Sequence, residues 1–154
     1  MTLGRVDRHV VEDAARTALA AVVSFLVARL LRMPEAYWAT ISTIIVMQST
    51  LGAALTVSWQ RFAGTALGAA CGAVLSTFFP SNLAVFAAGI FALGLIAAVL
   101  RVQVAYRFAG VTLAITMLIP RDRPAWVVAE HRLIEVSAGI AVALVLTLVW
   151  PERE

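Results

Sequence analysis

Two stretches of the chain repeat one another: RFAGTALGAACGAVLSTFFP at residues 61–80 and RLIEVSAGIAVALVLTLVWP at residues 132–151. When they are aligned from their first residues, three distinctive pairs coincide: Arg61 with Arg132, Gly68 with Gly139, and Pro80 with Pro151. Apolar matches carry little weight in so apolar a chain, but an arginine, a glycine and a proline in register are informative. A repeat with about three hydrophobic segments per copy is typical of many membrane transporters.

The composition indicates a membrane protein. Of the residues, 62% are hydrophobic and 14% are charged, and the mean hydropathy is +0.92. A soluble domain is closer to half apolar and one quarter charged. No charged residue lies between Phe62 and Leu100, a run about long enough for two membrane spans. Because Pro80, Ser81 and Asn82 interrupt this run, we predict two helices joined by a tight hairpin.

Several classes of protein are excluded by residue types that the chain lacks. All 12 basic residues are arginine, so no P-loop lysine is present to hold ATP phosphates. His9 and His131 stand alone, without cysteine or carboxylate at the spacing of metal ligands. No nucleophile elbow or pair of catalytic carboxylates is visible. We therefore expect no enzyme activity, no cofactor, no metal and no nucleic-acid partner.

The hydrophobic pattern predicts an all-α, polytopic membrane protein forming one transmembrane domain over residues 1–154. Six segments are expected at about Ala14–Leu31, Ala36–Thr50, Trp59–Phe79, Leu83–Leu100, Val104–Ile119 and Leu133–Trp150. Repeat one then covers about residues 10–80, and repeat two about residues 81–151. Because three spans is an odd number, the second copy enters from the opposite side, giving two inverted three-helix repeats. Seven arginines against five favour cytoplasmic N- and C-termini. Because every basic residue is arginine, the sequence is expected to come from a bacterium with a GC-rich genome, so the expected location is a bacterial inner membrane.

The second and fifth segments are short and polar, and they occupy the same place in the two halves. Short or interrupted segments at matching positions indicate a binding site near the midplane of the membrane. We therefore predict that Ser42, Gln48 and Thr112 line a substrate site. The alternative is that these hydroxyl groups only bond backbone carbonyls within their own helices.

Four arginines lie at predicted span entrances: Arg16, Arg61, Arg107 and Arg132. A guanidinium is always charged and can bind a carboxylate through two parallel hydrogen bonds, so an arginine-lined route suits an organic anion. We predict that Arg61, Arg132 and Arg107 contact substrate, although snorkelling to lipid headgroups would also explain a terminal arginine. Glu135 is a candidate for proton coupling, or more plainly an exposed i,i+3 partner of Arg132.

Other residues are expected to pack helices or stack on substrate. Gly64, Gly68 and Gly72 lie on one face of the third segment, where they let another backbone approach closely. Gly139 is the matching residue of the sixth segment, so all four are predicted to serve helix packing. Tyr37 and Trp38, beside the polar second segment, could stack on an aromatic substrate.

These residues also carry a resemblance to a known family. Tyr37-Trp38, Ser42, Met47-Gln48, Leu51-Gly52 and then Arg61-x-x-Gly64-Thr65-x-x-Gly68-Ala69 resemble the signature of the fusaric-acid-resistance and aromatic-acid-exporter family. That family's membrane domain is similar to the one in plant aluminium-activated malate transporters. The resemblance covers about residues 16–151. It implies six spans, a cytoplasmic N-terminus, outward movement of organic anions and, in Gram-negative members, a periplasmic adaptor protein. Larger members often carry a second membrane domain, so we expect a homo-oligomer, most simply a dimer.

The leading interpretation is a secondary-active exporter of aromatic or other organic acid anions, embedded in the lipid bilayer. Two alternatives stay open. One is a passive organic-anion channel with the same architecture, and the other is a non-transporting membrane subunit of a larger complex.

Overall fold

The computed structural model describes residues 8–47, 50–119 and 122–150. Within these ranges the chain forms six α-helices and no strand. The helices are α1 (Arg8–Leu30), α2 (Tyr37–Met47), α3 (Leu51–Phe78), α4 (Leu83–Val99), α5 (Gln103–Leu118) and α6 (Ala125–Val149). The all-α class and the number of helices predicted from the sequence are confirmed. The Pro80-Ser81-Asn82 interruption separates α3 from α4, and the Asn82 side chain caps α4 by accepting from two backbone N–H groups.

Three helices begin well before their predicted boundaries. α1 begins at Arg8 rather than near Ala14. α3 begins at Leu51 rather than near Trp59, and α6 begins at Ala125 rather than near Leu133. Hydropathy marks only the most apolar part of a helix, whereas the helix itself continues until a residue that breaks it, here Pro124 before α6. Arg61 and Arg132 therefore lie inside their helices rather than at the helix ends. Whether they mark the entrances of membrane spans stays a prediction.

The turns between α1 and α2 and between α4 and α5 have the same local geometry. Arg32 and Arg101 both adopt left-handed backbone conformations, with φ of 55° and 56°. In each turn the following N–H bonds the carbonyl five residues earlier, at 3.0 and 2.9 Å, which is the Schellman arrangement that closes a helix. Each of these two arginines also follows a leucine, so the two halves of the chain match at this turn in sequence as well as in geometry.

The helices of the two halves interlock. The most extensive packing surface joins α3 to α5, and its counterpart joins α6 to α2. α1 packs on α2 and α6, whereas α4 packs on α5 and α3. α3 and α5 run parallel, because successive glycines of α3 meet successive positions of α5: Gly64 meets Ala105, Gly68 meets Ala109 and Gly72 meets Thr116.

Glycine permits the close approach in both of these helix pairs. A Cβ added to Gly68 would overlap the backbone of Ala109, and one added to Gly139 would overlap the backbone of Ala39. Gly68 and Gly139 are the pair that the repeat aligns. Both glycines therefore lie where two helix backbones touch, which places them in the packing seam and not on a ligand surface.

One helix, α6, is long and apolar enough to cross a membrane by length and composition alone among the described residues. α2, α4 and α5 are apolar but shorter, with 11, 17 and 16 residues. That all six helices span the membrane stays a prediction from the sequence.

Candidate functional site

Arg61 lies on the buried face of α3, with 5% of its surface exposed. Its Nε donates a hydrogen bond to the hydroxyl of Ser42 on α2, at 3.1 Å. The guanidinium carbon lies 4.8 Å from the centre of the Phe108 ring on α5, a cation–π distance. Three helices thus hold one guanidinium between a hydroxyl and an aromatic face.

In the described part of the chain, no acidic side chain forms an ion pair with Arg61. Ser42 accepts one of the five N–H donors that a guanidinium carries. The terminal nitrogens, which supply the bidentate fork, have no hydrogen bond to a described residue. Such a site can accept a carboxylate without first breaking a salt bridge.

Arg132 on α6 has the opposite surroundings, although it too is buried, with 2% of its surface exposed. Its Nη1 lies 3.2 Å from Glu135 Oε2, and its Nη2 donates to Glu35 Oε2. Its guanidinium carbon lies 4.4 Å from the centre of the Trp38 ring. Two carboxylates therefore share one arginine.

The two arginines are matched by the repeat and by their aromatic partners. Arg61 and Arg132 begin the two aligned stretches, and the rings beneath them, Phe108 on α5 and Trp38 on α2, occupy corresponding places in the two halves. Each arginine of one half stacks on the polar short helix of the other half. The difference between the two sites is the pair of acids at Arg132.

Glu135 is the i,i+3 partner of Arg132, but the prediction that it is exposed was wrong. It is 1% exposed, because it faces the turn between α1 and α2 and not the bundle surface. Its Oε1 accepts the backbone N–H of Glu35 at 2.9 Å.

Sequence reasoning missed two residues of the site: Phe108 at Arg61 and, at Arg132, Glu35. Its Oε2 also accepts from the Tyr37 hydroxyl at 2.7 Å and from Trp38 Nε1 at 3.1 Å. In sequence it is an acid in a short polar connection, far along the chain from Arg132. The one available signal was its position directly before Ala36 and the Tyr-Trp pair.

The remaining predicted binding residues are not gathered into one place. Arg107 is exposed on α5, and Tyr37 is about half exposed with its hydroxyl bound to Glu35. Thr112 is buried and donates to the Phe108 carbonyl of its own helix, as does Ser42 to the Trp38 carbonyl. Gln48 lies outside the described residues.

Another buried guanidinium with unsatisfied nitrogens lies on α1. Arg16 is 5% exposed, and among the described residues its Nε and Nη2 atoms have no hydrogen-bond partner. It lines a cavity of about 510 Å³ between α1 and α2, together with Asp13, Thr17, Ile44 and Met47. No group of three or more potential metal ligands occurs in the described ranges.

Comparison with known proteins supplies a family. The family model described as fusaric acid resistance protein-like matches residues 19–146. The chain is 30% identical over 159 aligned residues to the inner membrane protein YeeA of Escherichia coli (strain K12). This match covers 97% of the chain but 44% of YeeA, so the chain spans less than half of that relative's length. No solved structure matches. The chain is therefore a membrane protein that belongs to the fusaric acid resistance protein-like family.

Proposed function

We propose that this protein is a secondary-active exporter of organic carboxylates, aromatic acids among them, across the bacterial inner membrane. The observation that carries the proposal is Arg61, a buried guanidinium held by Ser42 and Phe108 without an acidic partner in the described part of the chain. The family supports a membrane location, and the substrate class is inferred from the chemistry of this site.

The energetic argument concerns the cost of burying a charge. A buried charge costs several kcal/mol unless it is paired, and that cost is tolerated where function requires it. At Arg132 the chain supplies two carboxylates of its own, whereas at the matching Arg61 the described residues supply none. A carboxylate ligand at Arg61 would complete the arrangement that the protein already builds at the equivalent site.

Arg61 also favours an aromatic carboxylate for a geometric reason. The guanidinium carbon lies over the Phe108 ring, so an aromatic side chain already lines the site. An aromatic acid whose carboxylate binds the terminal nitrogens of Arg61 would bring a second ring into the site that Phe108 lines. Aromatic rings attract one another in offset or edge-on arrangements, by about 0.5–1.5 kcal/mol.

We further propose that the helices form an inverted repeat around this site. Support comes from three matched features: the α3–α5 and α6–α2 contacts, the Schellman turns, and the stacked arginines. α2, α3, α5 and α6 would then enclose the route, and its two ends would be related by a two-fold axis in the membrane plane. Glu135 remains the candidate for proton coupling.

The homodimer, the periplasmic adaptor and the cytoplasmic location of both termini remain predictions. Chemical cross-linking of the protein in native membranes tests the first two. Protease accessibility of terminal tags in inside-out and right-side-out vesicles tests the third.

The test of the proposed function is benzoate flux in proteoliposomes containing the full chain. Arg61→Lys keeps the charge but loses the planar fork, so we expect flux to fall at least about tenfold, in line with one charged hydrogen bond. Arg29→Lys, an exposed arginine on α1, is the matched control. Normal flux through correctly inserted Arg61→Lys would contradict the role of Arg61.

The same vesicles separate the alternatives. An exporter responds to an imposed proton gradient, whereas a passive channel responds only to voltage and to the anion gradient. Absence of flux for every anion tested, with a stable partner recovered from membranes, would favour a non-transporting subunit.

A further inference from the structure

The inference starts from a difference between two sites that the repeat makes equivalent. Arg132 binds Glu35 and Glu135, and Arg61 binds no described acid. Counted from the matched turns at Arg32 and Arg101, Glu35 corresponds to Val104, and counted from the matched rings it corresponds to Ala105. The aligned stretches place Gly64 opposite Glu135. None of these three residues can carry a charge. The acids therefore belong to one of the two sites only.

The surroundings of Glu35 are those of a bound carboxylate ligand. One oxygen, Oε2, accepts from a phenol hydroxyl, an indole N–H and a guanidinium, supplied by Tyr37, Trp38 and Arg132. The guanidinium carbon of Arg132 also lies over the same indole ring, 4.4 Å from its centre. Three different donors converging on one oxygen form a polar site of the kind that orients a small ligand.

We propose that Arg132, Tyr37 and Trp38 form a second carboxylate-binding site, which the chain's own Glu35 occupies in this conformation and which a substrate carboxylate takes over by displacing Glu35. The proposal rests on the organic-anion transport proposed above. It makes Glu35 an internal competitor that closes one site of the route while Arg61 awaits substrate at the other.

Charge balance permits the exchange. A substrate carboxylate replacing Glu35 leaves Arg132 with two carboxylates, as it has now, because Glu135 keeps its own bond. Glu35 leaves behind the donors that a new carboxylate needs. The exchange therefore creates no unpaired charge at Arg132.

Space at the site explains why the turn must move for exchange to occur. The cavity among Glu35, Arg132 and Glu135 measures only about 20 Å³, too small for an aromatic acid. A cavity of about 350 Å³ lies beside it, lined by the α1–α2 turn, His131 and Glu135. Displacement of Glu35 would join the smaller space to the larger one.

The experiment is equilibrium dialysis of radiolabelled benzoate against the purified full chain in detergent. Glu35→Gln removes the competing charge. At a benzoate concentration too low to displace Glu35 from wild-type protein, we therefore expect Glu35→Gln to bind one additional equivalent of benzoate. The affinity of this new component should exceed any wild-type binding at Arg132 at least about tenfold. Glu130→Gln, which changes an exposed acid of α6, is the matched control and should add nothing.

Two further variants make the outcome decisive. Arg132→Gln combined with Glu35→Gln should abolish the additional equivalent. The proposal would be overturned if the double variant still bound the additional equivalent of benzoate. It would also be overturned if folded Glu35→Gln did not bind that equivalent. Glu35→Asp, one methylene shorter and still charged, serves if Glu35→Gln does not fold, and it should also increase benzoate binding.

The proposed function fails separately from this inference. When Arg61→Gln is combined with Glu35→Gln, the benzoate bound in wild type should be lost, and the benzoate equivalent created by Glu35→Gln should remain. If both components remain in this double variant, the Arg61 site is contradicted and the internal competitor is not. An unchanged benzoate stoichiometry in Glu35→Gln would count against the internal competitor alone.

Discussion

Replacing Gly68 by alanine tests whether close backbone contact between α3 and α5 holds the bundle together. In a helix interior alanine is favoured over glycine by about 1 kcal/mol, so propensity alone predicts stabilisation. At Gly68, however, the added Cβ would overlap the carbonyl oxygen and Cα of Ala109. Backbone atoms cannot rotate aside as a side chain can, so the two helices must separate.

Overpacking of this kind costs about 1–3 kcal/mol and more where backbone must move, which exceeds the gain from propensity. We therefore expect Gly68→Ala to melt at a lower temperature than wild type in detergent, measured by thermal unfolding of monodisperse protein. The matched control is Gly94→Ala on α4, where the nearest atom to the added Cβ is 3.4 Å away on Tyr106. This control should melt at the wild-type temperature or higher. Equal melting temperatures for the two variants would refute the reasoning.

Three other variants test separate parts of the structure. Gly139→Ala should lower the melting temperature as Gly68→Ala does, because its Cβ would overlap the backbone of Ala39; a stable Gly139→Ala would contradict the matched seam. Arg16→Met should raise the melting temperature, because it removes a buried cation whose Nε and Nη2 atoms lack described partners. Each unsatisfied nitrogen costs about 1–3 kcal/mol, and a lower melting temperature would contradict this reasoning. Glu135→Gln keeps an acceptor for the Glu35 N–H group but cannot ionise. Benzoate flux should then stop responding to a proton gradient but should persist down an anion gradient, and an unchanged response to the proton gradient would exclude Glu135 as the coupling group.

The two arginines of the candidate site could be predicted from sequence because they stand at matching positions beside apolar stretches. Charged residues within long apolar segments are costly, so Arg61 and Arg132 are conspicuous as soon as the repeat is aligned. Their helices begin earlier than the hydropathy pattern indicates for a physical reason: hydropathy reports where lipid is favourable, and helix hydrogen bonding continues beyond that region. The glycine stripe likewise indicated close packing but not which helix would approach.

The sequence by itself determined the helical class, the number of helices, the break at Pro80-Ser81-Asn82 and the equivalence of Arg61 and Arg132 in the repeat. Each of these depends on local hydropathy, turn chemistry or residue identity. Only the tertiary structure decided that Arg132 is neutralised and that Arg61 has no described acid beside it. That difference depends on Glu35, which reaches Arg132 from a distant part of the chain once α2 packs along α6. A contact between distant segments leaves no periodic pattern in the sequence, since its geometry arises only when the two helices pack.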